Sequence, residues 1–318
     1  MTGDALLHGD NLALLRAEVE TASVDLVYLD PPFNSQRLYR TAIRQKKTRV
    51  EVDAFDDSWA WNDEASRAFA ELTASPGPVA SFLTAVEALA GEGDRLAYLT
   101  MMAPRVAELH RVLKPTGSLY LHCDPGVSAY LRLLLDAVFG ADCFRNEVVW
   151  RYRRWPAKAA RFQRMHDVLL FYGKEPEGHV FNTLYGYEQL AKSTLQTFGT
   201  KKQLADFSSG KRKPSVEESE SKGPPLSDVW EVSVIAPIGK ERVGYPTQKP
   251  EALLERVILA SSNPGDLVLD PFAGSGTTLA VAQRLGRRYL GMDASPVAIE
   301  LARKRLGVTL SLFPSPTP

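Results

Sequence analysis

The sequence predicts an α/β protein built on a doubly wound, mostly parallel sheet, and three observations carry that expectation. Gly265-Asp266-Leu267-Val268-Leu269-Asp270 reads as a short buried strand introduced by a turn. Ser275 to Leu285 reads as a helix that buries Leu279, Ala282 and Leu285. A second strand, Arg288 to Asp293, follows and ends in an acid. After it only one helix, Pro296 to Leu306, and a proline-rich tail, Phe313 to Pro318, remain, so the other strands of the sheet must lie upstream.

Between the first strand and its helix stands Pro271-Phe272-Ala273-Gly274-Ser275-Gly276-Thr277-Thr278. Its glycines let backbone approach a ligand, and the helix start offers free N–H groups. A glycine pair after a strand also suits a tight turn with no ligand. Asp293 adds weight to a ligand, because it follows Gly274 at close to the roughly 20-residue spacing at which an acid reaches a ribose hydroxyl. The run lacks the third glycine and the spacing of a pyrophosphate loop, so the ligand need not be a dinucleotide.

The 318 residues, 44% of them hydrophobic, suffice for a large core in one or two domains. No apolar run is long enough for a membrane span, and Met1 to Asn11 does not read as a signal peptide. Two cysteines, Cys123 and Cys143, argue against a disulfide framework and point to a reducing cytoplasm. The five histidines lack ligand spacing, so no metal is expected. Formal net charge is zero, so attraction to nucleic acid must come from local basic patches.

In chain order, Ala5 to Asp10 reads as a strand ending in an acid, and Asn11 to Glu20 as a helix with Leu12, Leu15 and Val19 inward. Val24 to Asp30 is a buried strand by its β-branched run. It runs into Asp30-Pro31-Pro32-Phe33, where two prolines end the ladder and make a rigid rim at the strand's carboxyl end, the place where open α/β sheets carry ligands. Residues 34–93 show no clear period. There Arg37, Arg40, Arg44, Lys46, Lys47 and Arg49 are followed by Asp53, Asp56, Asp57, Asp63 and Glu64 around Trp59 and Trp61. A solvated loop and a mobile segment over the site that touches phosphates both fit.

Asp94 to Leu113 is an amphipathic helix, Ser118 to Asp124 a strand and Ser128 to Phe139 a helix. Asn146 to Trp150 and Asp167 to Tyr172 read as strands paired at the sheet's edge. Between them Arg151, Arg153, Arg154, Lys158, Arg161 and Arg164 interleave with Tyr152 and Trp155, which suits phosphate contact plus stacking better than a solvated hairpin. From Gly173 to Ser227 the pattern thins, with Lys201-Lys202, Lys211-Arg212-Lys213 and Glu217 to Glu220, and reads as an inserted module with loose loops. Val229 to Val232 restores order, and Tyr245 to Pro250 leads into a helix from Glu251 to Ala260.

Together these motifs resemble the amino-group DNA methyltransferases that use S-adenosylmethionine, in the permuted β group. The resemblance rests on Asp-Pro-Pro-Phe at Asp30 to Phe33, Phe-Ala-Gly-Ser-Gly at Phe272 to Gly276, and Thr-Gln-Lys-Pro at Thr247 to Pro250. Gly9-Asp10 and Asp293 support it. It covers about residues 1–174 and 245–306. It implies a circularly permuted, seven-stranded-type methyltransferase sheet, with residues 1–174 its catalytic half, 175–244 a target-recognition module and 245–318 its cofactor-binding half. The strands near 267 and 289 are then expected beside those near 6 and 26.

The implied roles follow the motif. The Asp30 carboxylate and the Pro31 carbonyl accept N–H groups of a base's amine, Pro32 keeps the turn rigid, and Phe33 stacks on a base flipped from the duplex. Asp293 takes the cofactor's ribose and Asp10 its adenine. The backbone of Phe272, Ala273, Gly274, Ser275, Gly276 and Thr277 takes its methionine end, with Asp270, Lys249 and Pro250 completing that set. An acid before Pro-Pro leans to adenine N6, where cytosine N4 enzymes more often carry serine. N4-cytosine therefore stands as the alternative, with RNA or a protein amide behind it. A DNA-binding subunit with a decayed pocket is a further alternative, opposed by the intact Asp30, Phe33, Gly274, Gly276 and Asp293. Methylation at cytosine C5 is disfavoured, since neither cysteine follows a proline. Double-stranded DNA is the expected partner. A homodimer and a cognate restriction endonuclease come from the resemblance alone.

Overall fold

The computed structural model describes residues 4–45, 48–155, 158, 160–188, 192–198, 203–206, 211–214, 222–236 and 238–307. Lys46, Lys47, Lys201, Lys202, the run Glu217 to Glu220 and the tail Phe313 to Pro318 lie outside them.

The chain opens with β1 (Ala5–His8), α1 (Asn11–Glu18) and β2 (Val24–Leu29), then a hairpin of β3 (Leu38–Gln45) and β4 (Thr48–Asp56). Helices α2 (Asp63–Thr73), α3 (Pro78–Ala90) and α4 (Asp94–Val112) lead to β5 (Leu113–Cys123), α5 (Ser128–Phe139), β6 (Phe144–Arg151) and β7 (His166–Gly173). The middle of the chain holds α6 (Lys192–Phe198), β8 (Gln203–Asp206), β9 (Lys211–Pro214) and β10 (Val229–Glu231). It closes with α7 (Glu251–Ser261), β11 (Leu267–Asp270), α8 (Thr277–Arg284), β12 (Arg288–Asp293) and α9 (Pro296–Leu306).

Eight strands form one sheet in the order β1-β12-β11-β2-β5-β7-β6-β10. Only β7 runs against the others. Strand β2 shows why helices cover both faces: Val27 and Leu29 join a core with α1, α3, α4 and α5, whereas Leu26 and Tyr28 join one with α7 and α8. All four side chains are buried, as a parallel strand covered on both sides requires.

C-terminal β11 and β12 insert between N-terminal β1 and β2. Two ends of the chain thereby share one sheet edge, as the strand deficit at the C-terminus demanded.

Two expectations needed correction. Residues 34–93 are not a loop but the β3–β4 hairpin followed by α2 and α3. The alternating charges of the hairpin hid its period, and α3, bounded by Gly77 and Gly91, buries Ala80, Phe82, Leu83 and Val86. Strands β6 and β7 do pair, but β7 lies inside the sheet and β10 closes the edge beyond β6. Helix α4 ends at Val112, and Lys114-Pro115-Thr116-Gly117 opens β5 directly after it. Among the described residues no helix is long and apolar enough to cross a membrane.

Candidate active site

The carboxyl ends of β1, β2, β11 and β12 surround one cavity of about 560 Å³. Asp30 leaves β2 into the two prolines, and the loop beyond is held by a buried carboxylate. Asp57 accepts the backbone N–H groups of Phe33 (3.2 Å), Asn34 (2.8 Å) and Ser35 (2.8 Å). That grip sustains positive φ values at Asn34 (59°) and Gln36 (56°), which cost non-glycine residues free energy unless the surroundings fix them. The Phe33 ring is fixed as a result, 5.6 Å from the His122 imidazole.

Across the cavity, β11 ends at Asp270, whose carboxylate accepts the Phe272 N–H at 3.0 Å. Burial, reinforced by the nearby Asp30 and Asp293 charges, pushes the Asp270 carboxyl up to about 7 against the lowering pull of the Thr278 and Phe272 hydrogen bonds. Asp293 closes the loop by accepting N–H groups of Gly274 and Ser295, both at 2.8 Å. Burial raises its carboxyl as well, against those two hydrogen bonds.

Gly274 lines the cavity at φ +50°, and a Cβ there would stand 3.3 Å from the Tyr245 ring, so the position has room for a ligand's approach rather than a side chain. Gly276 also serves the fold. It caps α8 at φ +73°, and a Cβ there would press to 2.8 Å from Ala302 Cβ.

Of the residues singled out from the sequence, Asp10, Asp30, Pro31, Pro32, Phe33, Lys249, Asp270, Phe272, Ala273, Gly274, Ser275, Thr277 and Asp293 line this cavity. Pro250 and Gly276 do not; Pro250 is the buried cap of α7. Asp10 caps α1 through the Ala13 N–H (3.0 Å) and accepts from Arg105 at 2.6 Å. Lys249 donates to Asp30 Oδ2 and sits 5.3 Å over the Phe33 ring, so the Thr-Gln-Lys-Pro run meets the Asp-Pro-Pro-Phe tetrapeptide directly. The other Asp30 oxygen, Oδ1, is buried without a hydrogen-bond partner. Asp30 lines the cavity, and a buried carboxylate oxygen without a partner leaves hydrogen-bonding capacity unused beside it.

The basic segment stands apart from the cavity. Arg151 pairs with Glu231, and Arg164 with Asp124 at 2.5 Å, so these two fasten strands and loops. Arg154 lies over the Tyr152 ring at 4.8 Å. Arg153, Lys158 and Arg161 are exposed, beside Trp155 (92% exposed) and Phe162 (101%).

Sequence reasoning missed Tyr28, Asp57, His122, Asp167 and Tyr245 as parts of the site. Asp57 lay in a run without a clear period; Tyr28 and Tyr245 line the cavity, and His122 with Asp167 stands behind Asp30, brought there by the pairing of β5 with β2 and β7.

The family model described as DNA methylase, of the N6/N4 methyltransferases, matches residues 24–304. The chain is 29% identical over 304 residues to the DNA adenine methyltransferase YhdJ of Escherichia coli, covering 95% of this chain and 82% of that protein. It is 34% identical over 218 residues to the type II methyltransferase M.HpaI of Haemophilus parainfluenzae, covering 69% of this chain and 62% of that one.

Two solved structures share the fold. The cytosine-N4-specific PvuII DNA methyltransferase has a TM-score of 0.55 at 17% identity, over 99% of this chain and 89% of its own. TTHA0409 of Thermus thermophilus, complexed with S-adenosyl-L-methionine, has a TM-score of 0.52 at 21% identity, over 98% and 96%. With most of its length inside the family match, this chain belongs to the N6/N4 DNA methylase family and is a DNA methyltransferase.

Proposed function

We propose that the protein transfers a methyl group to the N6 amine of an adenine flipped out of duplex DNA, within a short recognition sequence. The methyl donor of such an enzyme is S-adenosylmethionine, which when bound supplies a positively charged sulfonium carrying an electrophilic methyl. The site fits it. The cavity lies within the usual size of cofactor pockets, Gly274 leaves backbone open to it, and acids stand at the ends of β1 and β12. Asp293 would hold its ribose, Asp10 its adenine and the backbone from Phe272 to Thr277 its methionine end.

One observation carries the reading: Asp30, which lines the same cavity as the glycine loop, keeps one buried oxygen without a hydrogen-bond partner. An exocyclic amine is a poor nucleophile because its lone pair is delocalised into the ring. Asp30 Oδ1 and the Pro31 carbonyl accept its two N–H bonds, draw the nitrogen toward tetrahedral geometry and expose the lone pair. Phe33 stacks on the base. The rest is placement and fixed charge.

Residues 1–174 and 245–318 act in this reading as the two halves of one catalytic domain, and 175–244 as the module that recognises the target. Arg153, Lys158 and Arg161, with Trp155 and Phe162, meet DNA phosphates and bases. Work in the cytoplasm, a homodimer and a cognate restriction endonuclease belong to the same reading and rest on the resemblance.

The test is expression in a methylation-free host followed by sequencing that resolves modified bases. N6-methyladenine confined to one motif and lost on Asp30→Ala is the expected result. N4-methylcytosine in its place would overturn the choice of base, and no mark with cofactor binding intact would overturn DNA as the substrate.

A further inference from the structure

Behind Asp30 the structure carries a buried polar chain that the methyl-transfer step does not use. His122, on β5, is fully buried. Its Nε2 lies 3.4 Å from Asp167 Oδ2 on β7, and its Nδ1 lies 2.9 Å from the Tyr28 hydroxyl and 3.6 Å from the unpartnered Asp30 Oδ1. Asp167 in turn accepts the Tyr152 hydroxyl at 2.8 Å. A carboxylate only accepts, so Asp167 fixes the tautomer with the proton on Nε2, which leaves the Nδ1 lone pair facing Tyr28 and Asp30. Burial pushes the Asp167 carboxyl up, but the hydrogen bonds from His122 and Tyr152 help hold it below the usual carboxylate range, in keeping with an ionised partner for the imidazole.

We propose that His122, oriented by Asp167, is a positioning residue that receives through Asp30 the proton released by the methylated amine. The inference rests on the reading of Asp30 given above. As the amine lone pair forms the new N–C bond, the S–C bonding pair stays with sulfur and the nitrogen becomes positively charged. The N–H pair then returns to nitrogen as its proton passes to Asp30 Oδ1. His122 Nδ1 takes that proton, so Asp30 is a carboxylate again and the imidazolium lies between Asp30 and Asp167. After product leaves, the proton returns by the same carboxylate to water entering the cavity. The 3.6 Å gap is a resting distance, and such contacts tighten when substrate binds.

Few groups compete for this role. Facing the imidazole are Tyr28 and Asp30 from β2 and its end, Asp167 from β7, and the rings of Phe33 and Trp150. Lys249 is paired with Asp30 Oδ2 and leaves Oδ1 to the amine and His122. Burial pushes the Tyr28 hydroxyl well above its usual range, with Asp30, Asp270 and Asp167 adding to the rise, and burial likewise raises the neighbouring Cys123 thiol. Neither therefore takes the proton's place as an anion near neutral pH.

The experiment measures single-turnover methyl transfer against pH on the motif-bearing duplex for wild type, His122→Gln and Asp167→Asn. Cofactor affinity and Tm are recorded for each, and the imidazole ¹⁵N resonances of the free wild-type protein are assigned. Expected are a protonated Nε2 and a bare Nδ1 in the free protein. The wild-type rate falls at acid pH, where a protonated His122 accepts nothing. His122→Gln keeps cofactor affinity but loses on the order of 100-fold in plateau rate, together with that acid limb. Asp167→Asn moves the limb to lower pH, since an imidazolium without its carboxylate is less stable. A His122→Gln enzyme with wild-type rate and limb overturns the inference, and so does a proton on Nδ1 in the free protein. The resonance assignment decides even if the variants fail to fold. Full activity in Asp30→Ala would instead sink the reading of Asp30 on which this one stands.

Discussion

At the scale of single residues, the site is a cluster of carboxylates in unlike surroundings. Asp30 has a cation on one oxygen and none on the other, whereas Asp270 is buried among carboxylates and is pushed up to about 7. The consequence for stability has a definite sign. A carboxyl raised in the folded state from an unfolded value near ~4 favours folding while protonated, and that contribution is lost as pH rises toward 7. Asp270→Asn removes the titration but keeps an acceptor for the Phe272 N–H. Its stability relative to wild type, read as Tm, is therefore expected to climb between about pH 4 and pH 7 and then level off, with a ceiling on the order of 4 kcal/mol at ~1.4 kcal/mol per pKa unit. A difference in Tm that stays flat across that range would contradict the assignment. Asp270 was legible in the sequence as a strand-end acid, but not as one pushed up to about 7. That property comes from burial and from Asp30 and Asp293, each brought beside it by a different strand. His122 was hidden for the same reason, since its partners Tyr28 and Asp167 come from two flanking strands.

At the scale of elements, the parallel strands were readable because both of their faces are buried and apolar, and their helices because of 3.6-residue periodicity. The β3–β4 hairpin was not. Its exposed positions carry the alternating charges that resembled a loop, and its inward partners are aromatic contacts made at long range: Tyr39 stacks on Phe55 at 4.7 Å, and Phe55 lies 6.3 Å from Tyr245. Asp57, just past this hairpin, grips the loop after Phe33, so a stretch that fitted either a solvated loop or a mobile segment is part of what holds the tetrapeptide still.

The connection between β6 and β7 divides its cations between structure and surface. Arg151 and Arg164 are paired within the protein, so their removal tests local stability more than DNA binding. Arg153, Lys158 and Arg161 point to solvent. Replacing these three by alanine is expected to weaken DNA binding and to reduce the slope of log K against log salt by about 0.9 for each phosphate no longer neutralised, with cofactor affinity unchanged. An unchanged salt slope would place the DNA elsewhere on the surface.

At the scale of the whole molecule, chain order and spatial order differ, and that difference makes the site. The strand carrying the tetrapeptide and the strand carrying the glycine loop are neighbours in the sheet, though most of the chain separates them. The sequence announced both half-sites because each depends on a local pattern, strand then turn, which a short window contains. Their meeting followed from a simple need: two C-terminal strands cannot make a sheet alone. The sequence was silent on base-reading side chains, which depend on surface shape assembled from distant segments.

The central claim is that Asp30 acts on the substrate amine rather than on the cofactor or the fold. The most direct test is single-turnover transfer of a labelled methyl group to the motif-bearing duplex by Asp30→Asn, with cofactor affinity measured beside it. The expected result is a rate loss on the order of 100- to 1000-fold, the scale for losing one positioned hydrogen-bonding group, at unchanged cofactor affinity. A variant that transfers methyl at the wild-type rate, or one that fails only because it no longer binds cofactor, would contradict the claim.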